Sequence, residues 1–249
     1  MRYIPWISGA ACALLLLTCG CHESTASGDA PLAARIILFD GTGSSPNDVK
    51  AIEKVLDREQ LPYTTADSDE LDLMTSEQLA HAELLIMPGG NYEQMGKGLR
   101  ADTAQRIRDA VRHGMNYLGI CAGAFIAGDA PDNGFNITGT RFAFFADSKL
   151  GTRKEVVTLA NGDGTRFKTY WEDGPELTGW GDPLAKYADG TPAVVQGKVG
   201  TGWMVLTGVH LEAPENWYDG LEPAAPVTSI DKAAKLVRAA FNGEALPYL

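Results

Sequence analysis

The chain has 249 residues, 45% of them hydrophobic and 21% charged. This is ordinary globular usage, and it excludes a mini-protein, a wholly disordered chain and a polytopic membrane protein. Asp and Glu number 32 against 21 Lys and Arg, a formal charge of -11 that repels a phosphate backbone and sets nucleic acid aside as a partner.

The N-terminus opens with Arg2 and an apolar run that includes Leu14, Leu15, Leu16 and Leu17, followed by Thr18, Cys19, Gly20 and Cys21. That is the layout of a secretory signal peptide. The apolar run is shorter than the ~20 residues a spanning helix needs, and a small, polar segment follows it, so a transmembrane anchor is not expected. Gly20 before Cys21 resembles the lipobox of bacterial lipoproteins, although Thr18 stands where that family prefers Leu. Cys19, preceded by Leu16, is a second candidate, and simple secretion is the alternative. The resemblance implies that residues 1–20 are a lipoprotein signal peptide and that Cys21 carries the lipid. His22, where an acidic residue would signal inner-membrane retention, implies the periplasmic side of the outer membrane. Residues 21–33 are small and polar, a tether, which leaves 34–249 as the folded domain.

Cysteines stand at 12, 19, 21 and 121, so once the leader and the lipidated residue are subtracted Cys121 has no disulfide partner. A leftover thiol in an oxidising compartment is either an inert buried side chain or a nucleophile.

From Arg35 onward short β-rich runs alternate with amphipathic helices. RIILF at 35–39 predicts a strand and DGTGSSP at 40–46 a turn, after which Val49, Ile52, Val55 and Leu56 recur at helical spacing. Further strands are expected at 61–65 and at 83–87, the latter stopping at Pro88, Gly89 and Gly90. A helix is expected from Ala101 to His113, ended by Gly114, and a strand at 116–120 runs into Cys121. Strands separated by helices predict a flavodoxin-like α/β fold, a mainly parallel sheet flanked by helices with its functional loops at the carboxyl ends of the strands. Beyond residue 140, RFAFF, KEVVTLA, RFKTYW, AVVQGKV and GWMVLTGV are divided by NGDG, DG and GTG turns, which adds β-hairpins in the C-terminal half. A helix over 229–242 closes the chain, and no repeat or second domain boundary is visible.

GICAG at 119–123 joins an apolar strand to a small-residue helix, the pattern of a nucleophile elbow. The turn is so sharp that only residues such as Gly119 and Gly123 fit beside the nucleophile, and it lifts Cys121 to a helix N-terminus that favours the thiolate. The loop after the third strand can present the Gly90 N–H beside that of Ala122 to an oxyanion. Among the four histidines at 22, 81, 113 and 210, His210 is the one placed for catalysis. In an extended run Glu212 points the same way, and a carboxylate beside an imidazole fixes its tautomer and stabilises its cation. His81 and His113 read as surface or helix-end residues. GTG at 41–43 lacks the lysine of a phosphate loop and reads as a turn, as does DGPE at 173–176. No His or Cys pair has metal-ligand spacing, so no metal is expected. Tyr170, Trp171, Trp217 and Tyr218 are either pocket walls or packing.

LIMPGG at 85–90, GICAG at 119–123 and GVHLE at 208–212, in that order, resemble class I glutamine amidotransferase-like domains. DGTGSSP, CAGAF at 121–125, YWEDGP at 170–175 and YADGTPAVV at 187–195 look closer still to the N-terminal domain of biotin-protein ligases, over roughly residues 34–220. The resemblance implies a Cys121, His210, Glu212 triad, with Gly90 and Ala122 as oxyanion donors. It implies attack on a carbon–nitrogen acyl bond of a small molecule or peptide, through a thioester and without a cofactor. Asn91, Phe125, Trp171 and Trp217 are the expected substrate pocket. Two departures bear on this. Phe125 and Ile126 occupy the region where glutaminases carry Gln, and Leu211 stands where they carry Pro, which puts glutamine itself in doubt. Biotin ligation is not expected, because there is no Walker loop, no dinucleotide fingerprint and no room for the ligase's catalytic domain. The alternative is a non-catalytic periplasmic binding module that retains the elbow. A redox switch at Cys121 lacks a resolving cysteine. Export separates the protein from cytoplasmic synthases, which fits a stand-alone hydrolase better than ammonia transfer.

Overall fold

In the computed structural model the described residues are 35–145, 154–222 and 229–249, together with Met1. The expected leader, Cys21 and the tether lie outside them. The chain runs β1 (Ile36–Phe39), α1 (Pro46–Arg58), β2 (Tyr63–Ala66), α2 (Ser68–Leu73), α3 (Ser76–His81), β3 (Leu84–Met87), α4 (Tyr92–Gly98), α5 (Ala101–Arg112), β4 (Asn116–Ile120) and α6 (Ala122–Ala127). It continues through β5 (Ala143–Phe144), β6 (Lys154–Asn161), β7 (Arg166–Glu172), β8 (Pro175–Glu176), β9 (Asp182–Lys186), β10 (Pro192–Val199) and β11 (Gly202–Thr207), then a 3-10 turn at Glu215–Tyr218 and α7 (Ile230–Asn242).

The nine-stranded sheet has the order β2-β1-β3-β4-β11-β10-β9-β6-β7, and β5 pairs separately with β8. Pairing is parallel from β2 across to β11 and antiparallel beyond it. The mixed sheet is therefore the expected helix-flanked α/β arrangement, parallel in its first five strands, with the hairpins β6–β7 and β10–β11 in its C-terminal half.

Alternation along the parallel strands explains why they are apolar throughout. Ile36, Leu38, Leu84, Ile86, Leu118 and Val205 join α1 and α7 in one core layer. Ile37, Phe39, Leu85, Met87, Tyr117 and Leu206 join α5 and α6 in the other. A strand covered on both faces has no polar side to show. Ser45 caps α1 by accepting from the Asp48 N–H, and Pro46 opens the helix, where its missing N–H costs nothing.

Several expectations need correcting. RFAFF forms a strand only at Ala143–Phe144, and part of the expected turn at 173–176 is β8, which pairs with it. The helices α2, α3 and α4 and the strand β9 were not expected. The first two are single short pieces fixed by capping boxes, Asp67 with Glu70 and Thr75 with Gln78. Among the described residues no helix is long and apolar enough to cross a membrane.

The loops that leave β1, β3, β4 and β11 all lie at the carboxyl edge of the parallel strands, where open α/β sheets form clefts. They are tied together directly: Asn91 N–H donates to Gly43 O at 2.8 Å, Ser45 N–H to Gly89 O at 2.9 Å and Gly123 N–H to Pro88 O at 3.0 Å.

Candidate active site

The bend after β4 is sharp enough that its conformation is itself informative. Cys121 has φ +51° and ψ -104°, a region that costs a non-glycine residue about 1–3 kcal/mol. The surroundings hold it there. Its N–H donates to Thr207 O at 2.8 Å, its carbonyl accepts from the Ala124 and Phe125 N–H groups, and the Tyr117 hydroxyl donates to Gly123 O at 2.6 Å. Glycine is obligatory on both sides: a Cβ on Gly119 would sit 2.4 Å from Gly123 O, and one on Gly123 would sit 2.0 Å from Met87 O. The structure thus has the elbow geometry that the glycine spacing predicts.

Cys121, Ala122, Gly90, Asn91, Phe125 and His210 line one cleft of about 400 Å³. Asp48, Ser45, Tyr92, Glu93, Phe144, Glu172 and Asp173 complete its wall. Gly90 and Ala122 both line this cleft, and no backbone carbonyl among the described residues accepts from their N–H groups. Gly90 has φ +144°, and a Cβ there would lie 2.2 Å from Gly43 O, so only glycine keeps the loop this close to its neighbour.

His210 and Glu212 are both buried, and His210 Nδ1 donates to Glu212 Oε1 at 2.8 Å. The expected neighbours meet, but not through an extended strand. β11 ends at Thr207, His210 forms an isolated bridge to Tyr170 on β7, and the chain then turns, with Ala213 N–H reaching back to His210 O at 3.4 Å. Thr169 on β7 donates its hydroxyl to the same carbonyl at 3.2 Å, so β7 as well as β11 positions the imidazole. Leu211 points into the core with 1% exposure.

One charged residue beside the imidazole was not expected. Asp48, in the first turn of α1, places Oδ1 3.0 Å from His210 Nδ1. That oxygen is buried and, His210 apart, meets no donor among the described residues. Burial alone would depress the basicity of His210, but the carboxylates of Glu212 and Asp48 and a hydrogen bond with the Cys121 side chain hold its pKa well above the ordinary value. Burial also acts to raise Asp48, yet the facing imidazolium wins and its pKa is lowered. For Glu212 burial prevails and the pKa is raised. The ligand atoms of Asp48, His210 and Glu212 lie within 4.8 Å of one another, but the Nδ1 a cation would need already donates to Glu212, and none of the three is assigned as a metal ligand.

The remaining expected pocket residues divide. Phe125 stacks on Tyr92 with ring centroids 4.6 Å apart and contacts Phe144 at 4.8 Å, forming an aromatic wall. Asn91 borders the cleft, while its side chain caps α4 by accepting from Gln94 N–H at 2.9 Å. Trp217 lies in an adjoining depression with Tyr170 and packs edge-on to His210 at 5.7 Å. Trp171 is a correction: it is 4% exposed and packed in the core, edge-on to Phe145, because alternation along β7 turns it away from the Tyr170 side.

The chain is similar to known proteins over this same body. A solved glutamine amidotransferase superposes with a TM-score of 0.59 at 16% identity, covering 84% of this chain and 99% of that one. PurLQS from Thermotoga maritima matches with a TM-score of 0.51 at 16% identity over 81% of this chain and 97% of that one. These likenesses establish the fold. A biotin-protein ligase of Schizosaccharomyces pombe is 26% identical over 208 residues, 71% of this chain but only 33% of that protein. Residues 34–240 match the family model for the N-terminal region of biotin-protein ligase, and the chain belongs to that family.

Proposed function

We propose that this chain is an exported cysteine amidohydrolase that cleaves a carbon–nitrogen acyl bond through a thioester. The observation that carries the reading is the meeting of Cys121, on its strained bend, with His210 in one cleft, Glu212 being hydrogen-bonded to the imidazole behind it. The Cys121 sulfur attacks the amide carbonyl carbon, and the oxyanion that forms accepts from the Gly90 and Ala122 N–H groups. His210 gives a proton to the leaving nitrogen, the C–N bond breaks, and an amine or ammonia departs. Water then loses its proton to His210 and attacks the thioester, which releases a carboxylic acid and regenerates the sulfur nucleophile. Glu212 keeps Nδ1 protonated so that the other ring nitrogen serves Cys121.

The aromatic wall of Phe125, Tyr92 and Phe144 supports an acyl substrate other than glutamine, since a planar apolar surface stands in place of an amide side chain. The lipobox-like segment ending at Cys21 supports attachment to the periplasmic face of the outer membrane. Intact-mass analysis of membrane-extracted protein tests the latter: a diacylglyceryl-modified chain beginning at Cys21 is expected, and an unmodified mature chain would overturn it.

Iodoacetamide alkylation of Cys121, titrated against pH in the parent and in His210→Ala, tests the site. The parent is expected to react rapidly at pH 6 and the variant only under alkaline conditions. Equal profiles would instead mark a binding module that has kept the bend.

A further inference from the structure

Two carboxylates, on different elements, meet one ring nitrogen. We propose that Asp48 is a positioning residue of the same site, a second carboxylate that, with Glu212, keeps His210 charged beside Cys121. The inference builds on the amidohydrolase reading above.

Glu212 and Asp48 stand differently toward the imidazole. Glu212 Oε1 accepts from Nδ1 at 2.8 Å, which orients the ring. Asp48 Oδ1 lies 3.0 Å from the same nitrogen, with no other donor among the described residues. A buried carboxylate oxygen without a hydrogen bond is costly unless a charge faces it, and the charge in reach is the imidazolium. Burial pushes Glu212 toward its neutral form, whereas Asp48 is held ionised. Glu212 supplies direction and charge, and Asp48 adds a second charge on the same nitrogen.

The titratable groups that act on His210 come from five places: α1 contributes Asp48, the bend after β4 contributes Cys121, the segment after β11 contributes Glu212, β7 contributes Tyr170, and the 3-10 turn contributes Tyr218, which burial holds above its usual range. The Tyr170 hydroxyl donates to Glu172 Oε2 at 2.6 Å and is held above its usual range by burial and that carboxylate, so it stays neutral. The Cys121 Sγ–H donates to Glu172 O at 3.6 Å, and a cation beside a thiol favours its reaction as a nucleophile. The Asp48 contact is built into the loop. A Cβ on Gly89 would lie 2.1 Å from Asp48 Oδ1 and 2.7 Å from His210 Cε1, so the carboxylate reaches the ring only across a glycine.

The experiment is alkylation of Cys121 by iodoacetamide, followed by intact mass from pH 5 to 9, in the parent, Asp48→Asn, Asp48→Glu and His210→Ala. Asp48→Asn is expected to react at least tenfold more slowly than the parent at pH 6, one unit of midpoint shift being a factor of ten. It should approach the parent rate at pH 9, and Asp48→Glu should restore part of the loss. EDTA is expected to change nothing. A profile of Asp48→Asn that coincides with the parent, even with a lowered melting temperature, would overturn the role of Asp48. So would an EDTA-sensitive rate. Should Asp48→Asn not fold, the His210 ring signal in the NMR spectrum of the parent decides: a titration midpoint above 6.5 is expected, and one at or below 6.5 refutes. If His210→Ala also leaves the profile unchanged, the amidohydrolase reading itself has failed.

Discussion

Gly123→Ala is the sharpest test of how the bend is built. The added Cβ would lie 2.0 Å from Met87 O and 2.6 Å from Met87 C, against the 3.4 Å at which ordinary contact begins. Met87 cannot swing aside, because its residue pairs with Gly119 in the β3–β4 ladder and the next carbonyl, Pro88 O, accepts from Gly123 itself. Either the bend retreats from β3 by more than ~1 Å or the end of β3 tilts and carries Gly90 with it. Overpacking of this kind costs about 1–3 kcal/mol, which lowers the melting temperature by roughly 2–12 °C in a domain of this size. A displacement of ~1 Å at a nucleophile slows its reaction by about a hundredfold. Circular-dichroism melting and the alkylation rate of Cys121 read the two effects. A variant that melts within 1 °C of the parent and alkylates at the same rate would refute the packing argument.

Three further outcomes follow from the same geometry. Glu212→Gln keeps an acceptor beside Nδ1 but removes the charge; turnover of any amide the parent cleaves should fall on the order of 10³–10⁴-fold, and a loss under tenfold would deny Glu212 its place. His210→Gln leaves Asp48 and Glu212 buried without a cation. In the parent, burial opposes the His210 charge but the carboxylates raise its pKa, so its stabilisation is complete below pH 6.5 and lasts until pH passes the raised value; that of Asp48, whose pKa is lowered, is present above pH 3.8. The variant's carboxylates instead favour their neutral forms, so the gap in melting temperature should widen from pH 4 to pH 7, toward a cost of about 3–5 kcal/mol, and a gap independent of pH would contradict this. Finally, among the described residues the cleft is lined by Asp48, Glu93, Glu172 and Asp173 and by no Lys or Arg, so a neutral or cationic amide should be cleaved at least tenfold faster than its anionic counterpart, in an ammonia-release assay.

Much of the fold was legible because burial on both faces leaves a plain signature. The runs at 35–39, 83–87 and 116–120 are apolar without alternation, and each became a central parallel strand. α1, α5 and α7 have enough turns for their apolar stripe to repeat. α2 and α3, six residues each, are too short to show a period, and their sequence signal was confined to the capping residues. β9 reads DPLAK, with Pro183 and two charges, and becomes a strand only because β10 and β6 lie on either side of it. Tertiary context there overrides propensity.

At the site the same distinction holds between what is local and what is assembled. The bend around Cys121 and the spacing of His210 and Glu212 are each contained in five consecutive residues, so sequence spacing alone brings them forward. Trp171 was misplaced because its neighbour Tyr170, one residue earlier on β7, faces the His210 side while alternation buries the tryptophan. Asp48 carries no such local mark. In the third position of α1 an acidic residue is an ordinary partner for the helix N-terminus, and nothing nearby distinguishes it from a solvated one. Its burial depends on topology: β3 lies next to β1 in the sheet, and Asp48 must pass the end of β3 to reach a histidine delivered by β11. The clue lay instead in the loop it crosses. Two successive glycines after Pro88 are more than a turn requires; Gly90 keeps the loop against Gly43, and Gly89 leaves the space that the Asp48 carboxylate and the imidazole share.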